Sequence, residues 1–201
     1  MLKNPNSRTR AQEAAEDVFF GQIVIIWARW FLIAAGAVIT LWSATDMLQL
    51  TVAILTLIVL MAMNFFAHAR YMTGQPVNKL MLLLANLVDL VIITVLISFW
   101  SNQSGLNSNF FILYYPILFT WALVFSPSTT ALFSLITLTA YTTACLVTTA
   151  PALMLSVAGF ELLCIRLITL GAMAGLGTYY YRRQRDSLRK LSASKPLAQF
   201  S

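Results

Sequence analysis

Residues 79–100 read KLMLLLANLVDLVIITVLISFW, an apolar run with one basic residue at its start and one carboxylate, Asp89, near its middle. About 20 apolar residues, rising about 1.5 Å each, cover the roughly 30 Å hydrocarbon core of a bilayer. A helix also bonds every backbone N–H and C=O within itself, as lipid requires of a spanning segment. Residues 79–100 therefore read as a transmembrane helix. Five further runs share the pattern, at 22–43, 51–69, 110–125, 128–149 and 156–181. The fold expected is all-α, an integral membrane bundle of six transmembrane helices.

Composition agrees. The 201 residues are 59% hydrophobic and only 10% charged, whereas soluble domains carry roughly 25% charged residues. The spans use most of the chain, so three parts are expected: a cytoplasmic segment over 1–21 holding a short helix, a transmembrane domain over 22–181, and a basic cytoplasmic tail over 182–201. The stretch SRTRAQEAAEDVFFG (7–21) opens on a capping residue, Ser7, followed by good helix formers. The first apolar run is longer than the roughly 7–15 residues of a signal-peptide core and reads as a retained helix.

Lys and Arg collect on cytoplasmic flanks. Arg70 and Lys79 flank the second connection, and Arg182, Arg183, Arg185, Arg189, Lys190 and Lys195 follow the last span; the loops near 44–50, 101–109 and 150–155 have neither type. Both termini are thus expected in the cytoplasm, with the protein multi-pass in the membrane. Trp27, Trp30 and Tyr179–Tyr181 would mark one interface, and Trp42, Trp100, Tyr114 and Tyr115 the other. The net charge of +6 lies mostly in the tail, where it suits anionic lipid. Membrane lipid is an expected partner and nucleic acid is not, since no nucleic-acid fold or aromatic surface accompanies the charge.

Asp89 is the most informative residue. A lone carboxylate near the midplane costs about 3 kcal/mol even on the mildest insertion scale, so it needs a partner or a proton. Arg29 and Arg166 are the candidates, and Arg29 matches it better in depth; a guanidinium fork suits a carboxylate. Arg166 is expected to snorkel outward or to meet Glu161. Two readings of the cluster Arg29, Asn86, Asp89 and Arg166 stay open. One is a polar pocket for a quinone-like or proton-linked ligand; the other is a structural ion pair that keeps three helices in register.

Gly171-x-x-x-Gly175 marks a helix-packing face, either inside this bundle or against another subunit. Pro127, Pro151 and Thr73-Gly74-Gln75-Pro76 mark tight turns, and Pro127 makes the fourth and fifth spans a hairpin. Cys145 and Cys164 fall at similar depth, which leaves a disulfide open, although both read more simply as small apolar residues. His68, the sole histidine, reads as a helix-end residue, because a bis-histidine haem needs a second ligand. There is no CxxC, no phosphate loop and no nucleophile beside a base. No metal site and no catalytic residue are expected, so the chain does not read as an enzyme.

The Arg29–Trp30 pair opening the first span, the Asp of the third at Asp89, and a Gly-containing loop running into Phe110 and Phe111 resemble the membrane sensor region of bacterial two-component histidine kinases, in its redox-sensing, quinone-responsive branch. In that branch the loop reads Gly-Gly-x-x-Asn-Pro-Phe and is associated with quinone. Here 104–110 reads SGLNSNF, keeping Gly105 and Phe110 but carrying Ser104, Ser108 and Asn109 in place of Gly, Asn and Pro. The resemblance implies a candidate ligand loop at Gly105, Ser108, Asn109 and Phe110; the residues themselves read as a turn at the outer surface that keeps that motif's outline. A kinase would continue into dimerising and ATP-binding domains, for which the short tail leaves no room. The expected function is a non-catalytic accessory subunit of a larger membrane complex handling electrons and quinone, in contact with other membrane subunits. The alternative is a kinase-less sensor of a quinone or other hydrophobic ligand; a small transporter stands third, since paired helix interruptions are missing. Quinone or lipid would be bound without any cofactor held by ligands of the chain's own.

Overall fold

A computed structural model describes residues 5–74, 78–100 and 104–194, with side-chain surroundings defined for 21–74, 78, 80–100 and 104–183. Among these residues the fold is all helix, with no strand. The order is α1 (Pro5–Ser43), α2 (Met47–Met72), α3 (Lys79–Phe99), α4 (Tyr114–Val124), α5 (Pro127–Thr148), the single turn α6 (Pro151–Met154) and α7 (Val157–Ser194). Two 3-10 segments, Gly105–Asn107 and Asn109–Leu113, lead into α4. Five stretches of the described residues are long and apolar enough to cross a membrane: Gly21–Ser43, Met47–Met72, Leu80–Phe99, Pro127–Thr148 and Val157–Arg183. This is the make-up of a multi-pass membrane protein.

The sixth expected span differs. Residues Asn109–Val124 form a shorter apolar helix, of which only α4 is α-helical. Pro116 has no N–H to bond back toward Ile112, so the turn before α4 tightens into 3-10 geometry. At about 2.0 and 1.5 Å per residue the whole segment runs roughly 26 Å. It nevertheless occupies the centre of the bundle: Tyr114, Ile117, Leu118, Thr120, Trp121 and Ala122 are all buried, and α4 packs against α1, α3, α5 and above all α7.

The short N-terminal helix expected over 7–21 is not a separate element. It is the first part of α1, which runs unbroken through Gly21. Gly21 lies at a close approach, where an added Cβ would stand 2.8 Å from Val124 Cγ1.

Local chemistry sets the helix starts. Asp46 caps α2 by accepting from the Leu48 and Gln49 amides, Asn78 caps α3 through the Leu80 amide at 3.2 Å, and Ser126 caps α5 through the Thr129 amide at 3.4 Å, with Pro127 in the first turn. At the start of α7 the Ser156 hydroxyl accepts from the Gly159 amide at 3.0 Å. Of the expected turn at 73–76, Thr73 and Gly74 are described, Gly74 at φ +69; Gln75 and Pro76 lie outside the described residues.

Contacts at the two ends fix the directions. At one end Trp100 Nε1 donates to the Ser43 carbonyl at 3.4 Å, and Leu106 N to Thr149 Oγ1 at 3.0 Å. At the other, Gln22 Nε2 donates to the Ala67 carbonyl at 3.0 Å, Gly21 meets Val124, and Gly177 meets Ala122. Successive long elements therefore alternate in direction, α4 among them.

Candidate functional site

Arg29 and Asp89 meet in the middle of the bundle, from α1 and α3. Nη2 donates to Oδ1 at 2.9 Å, and Nε stands 2.9 Å from Oδ2. The second contact is an ion contact without hydrogen-bond alignment, for Oδ2 is buried with no aligned donor. Both side chains are sealed, at 5% and 1% exposure, so the pair is desolvated as well as matched. Of the two arginines, Arg29 is the one that holds Asp89.

Asn86 lies one turn before Asp89 but donates to its own helix, Nδ2 to the Leu82 carbonyl at 2.8 Å. Arg29, Asn86 and Asp89 do line one cavity, closed on the α4 side by Pro116, Ile117 and Thr120. Its volume is about 10 Å³, close to the least space a single water occupies. A quinone ring does not fit there.

Arg166 neither turns outward nor meets Glu161. Nη1 donates to the Tyr141 hydroxyl at 2.9 Å and to the Ser108 carbonyl at 3.3 Å, and the guanidinium carbon lies 3.9 Å from the centroid of the Phe111 ring. A guanidinium stacks on aromatic faces and satisfies several acceptors at once, which here ties α7, α5 and the loop together. The expected four-residue cluster is thus two sites: Arg29 with Asp89 and Asn86, and Arg166 with the 104–111 loop.

That loop is folded inward rather than lying as a surface turn. Leu106, Ser108 and Phe110 are fully buried and Gly105 is buried, while Asn109 is exposed. Phe110 packs edge-on against Trp100 with centroids 5.1 Å apart. Ser108 caps the second 3-10 segment through the Phe110 amide at 3.3 Å. Gly105 sits at φ +59, and a Cβ there would collide with the Thr149 and Thr148 hydroxyls. Only glycine meets both demands. The physical reason for the correction is the number of apolar side chains in the segment: Leu106, Phe110 and Leu113 have a core within reach and enter it.

Gly171 and Gly175 do not pack against the described residues of the bundle, none of which has an atom within 4 Å of a Cβ built at either. The close approach expected of them is made by Gly177, where a Cβ would collide with that of Ala122. Cys145 and Cys164 are both free thiols. His68 is half-buried, four residues before the end of α2. Its Nδ1 is buried without a hydrogen-bond partner.

Sequence reasoning passed over two amides. Gln22 and Asn64 are fully buried and clasp α1 to α2, Gln22 through the Ala67 carbonyl and Asn64 Nδ2 through the Ile26 carbonyl at 3.2 Å. Asn64 carries a readable signal, being the one amide inside the apolar run of α2 after Gln49. Comparison with protein-family models, curated proteins and solved structures gives no match to this chain.

Proposed function

We propose that the chain is a non-catalytic accessory subunit of a bacterial inner-membrane complex, crossing the membrane six times with both termini in the cytoplasm. One observation carries this reading: Gly171 and Gly175 are open, with nothing among the described residues within 4 Å of where their Cβ atoms would be. The inner face of the same helix is already filled by Leu163, Leu170 and Ala174. Because lipid is as apolar as a leucine side chain, transmembrane helices associate through close backbone approach and polar contacts, and small residues four apart supply the approach. Exposed Ile168 and Tyr179 would flank a helix seated there. The sealed Arg29–Asp89 pair and the inward-folded loop support the reading too, because both hold helices together.

The resemblance to quinone-responsive sensors directs the proposal toward an electron-transfer complex that handles quinone. The test is gentle detergent extraction of the tagged chain from its native membrane, followed by native electrophoresis. It is expected to migrate with other membrane subunits, and Gly171→Ile with Gly175→Ile is expected to release a folded monomer. A wild-type chain that extracts as a stable monomer under the same conditions refutes the reading.

A second reading, a kinase-less sensor, draws on the length of α7. The apolar run of α7 ends at Tyr181 in the sequence but the helix continues to Ser194, and a continuous helix can carry a shift from the membrane to a docked partner. Ligand-dependent crosslinking of this segment to a soluble kinase would distinguish it.

A further inference from the structure

A lateral chamber of about 400 Å³ opens between α2 and α3, with α1 as its floor. It exists because α2 packs broadly on α1 and hardly at all on α3. Met63 and Phe66 form one wall, Met81 and Ala85 the other, and Arg29 lies in the floor. A narrower void of about 30 Å³ lies farther along the same three helices, beside Gly36 and Ala53. Every residue lining the large chamber is apolar except Arg29.

The chemistry of that single polar group narrows the ligand. Asp89 engages Nε and Nη2, and Nη1 has no acceptor among the described residues. A guanidinium has five N–H donors and no acceptor, so the one polar side chain of the lining can only donate, and the chamber has no side chain that accepts. It offers no net charge, since Asp89 neutralises Arg29. An anionic head would give up its hydration without a free counter-charge, and a cationic head would find nothing to donate to. The volume lies within the roughly 300–1,000 Å³ of small-molecule sites, and soft Met and Phe walls adapt to rings and chains alike.

We infer that the α2–α3 chamber binds the head of a neutral, carbonyl-bearing amphiphile, whose oxygen accepts from Arg29 and whose tail leaves sideways into the lipid. Such a carbonyl belongs either to an isoprenoid quinone or to the ester of an uncharged acylglycerol. The inference stands whether or not the chain works within a larger assembly.

The test uses the purified full chain, delipidated in detergent and incubated separately with decylubiquinone, dioleoylglycerol, oleate and hexadecane, with adducts read by native mass spectrometry. A one-to-one adduct is expected with decylubiquinone or dioleoylglycerol, and the one retained identifies the source; oleate and hexadecane should be weaker by about tenfold or more. Ala85→Phe, which fills the chamber, and the paired Arg29→Leu/Asp89→Leu, which removes the donors without stranding a charge, should each lower occupancy by about tenfold or more with the melting temperature maintained. Should Ala85→Phe fail to fold, Ala62→Phe at the exposed rim makes the same test. Equal retention of hexadecane or oleate, no adduct with either carbonyl compound, undiminished binding by the paired variant, or displacement of a co-purifying protein by Ala85→Phe would each overturn the assignment.

Discussion

At the scale of single residues, the midplane pair makes the sharpest demand. Removing one partner of a buried ion pair strands a charge and costs about 3–5 kcal/mol, whereas replacing both by apolar groups of similar size is often neutral. Asp89→Asn or Arg29→Ala should therefore lower the melting temperature in detergent sharply, and Arg29→Leu with Asp89→Leu should restore most of the loss. Equal losses in the single and paired variants would show that packing, not charge, sets the cost. Gly105→Ala tests the other constrained residue: the left-handed backbone alone costs about 1–2 kcal/mol, and the Thr149 contact adds to it, so unfolding by heat or denaturant should register at least that loss. The Arg29–Asp89 pair was legible in the sequence, because an unpaired midplane carboxylate must find a cation and depth singled out Arg29. The surroundings of Arg166 were not. Its acceptors lie 58 and 25 positions away at Ser108 and Tyr141, and depth along a helix does not say which way a side chain faces.

At the scale of elements, α7 separates two uses of glycine that its sequence runs together. Gly177 faces α4 and Gly171 faces outward, only six positions earlier. Gly177→Val should force α4 and α7 apart and cost about 1–3 kcal/mol, as overpacking does. Gly171→Val should leave the thermal stability of the isolated chain within about 0.5 kcal/mol. Losses of similar size would mean that both glycines pack inside the bundle. Across the α1–α2 contact, interhelical hydrogen bonds in membrane proteins average about 0.6 kcal/mol, so Gln22→Leu combined with Asn64→Leu should loosen this pair modestly without unfolding the chain. Increased crosslinking freedom between cysteines placed at positions 23 and 66 would report it. The long apolar elements could be read from the sequence because lipid imposes one length and one composition on a spanning helix. The interruption before α4 could not, because it arises where Pro116 removes a bond just as Leu106 and Phe110 turn into the core.

At the scale of the molecule, the alternation of the long elements ties the two ends together. The apolar part of α1 begins, and that of α7 finishes, at the end where Gly21 meets Val124 and Gly177 meets Ala122. The 104–110 loop and Thr149 lie at the opposite end. The basic residues 182, 183 and 185 continue α7 beyond its apolar part at the first of these ends, and positive flanks stay in the cytoplasm. With Cys145→Ala and Cys164→Ala as background, Glu13→Cys and Asp186→Cys should resist a membrane-impermeant maleimide in intact spheroplasts and react once the membrane is opened. Asn107→Cys, exposed beside the buried Leu106, should react in both preparations. Protection of position 13 together with reaction at 186 would place the ends on opposite sides, which requires an odd number of crossings. The buried segment that then fails to cross would be Asn109–Val124, whose roughly 26 Å makes it the shortest of the six.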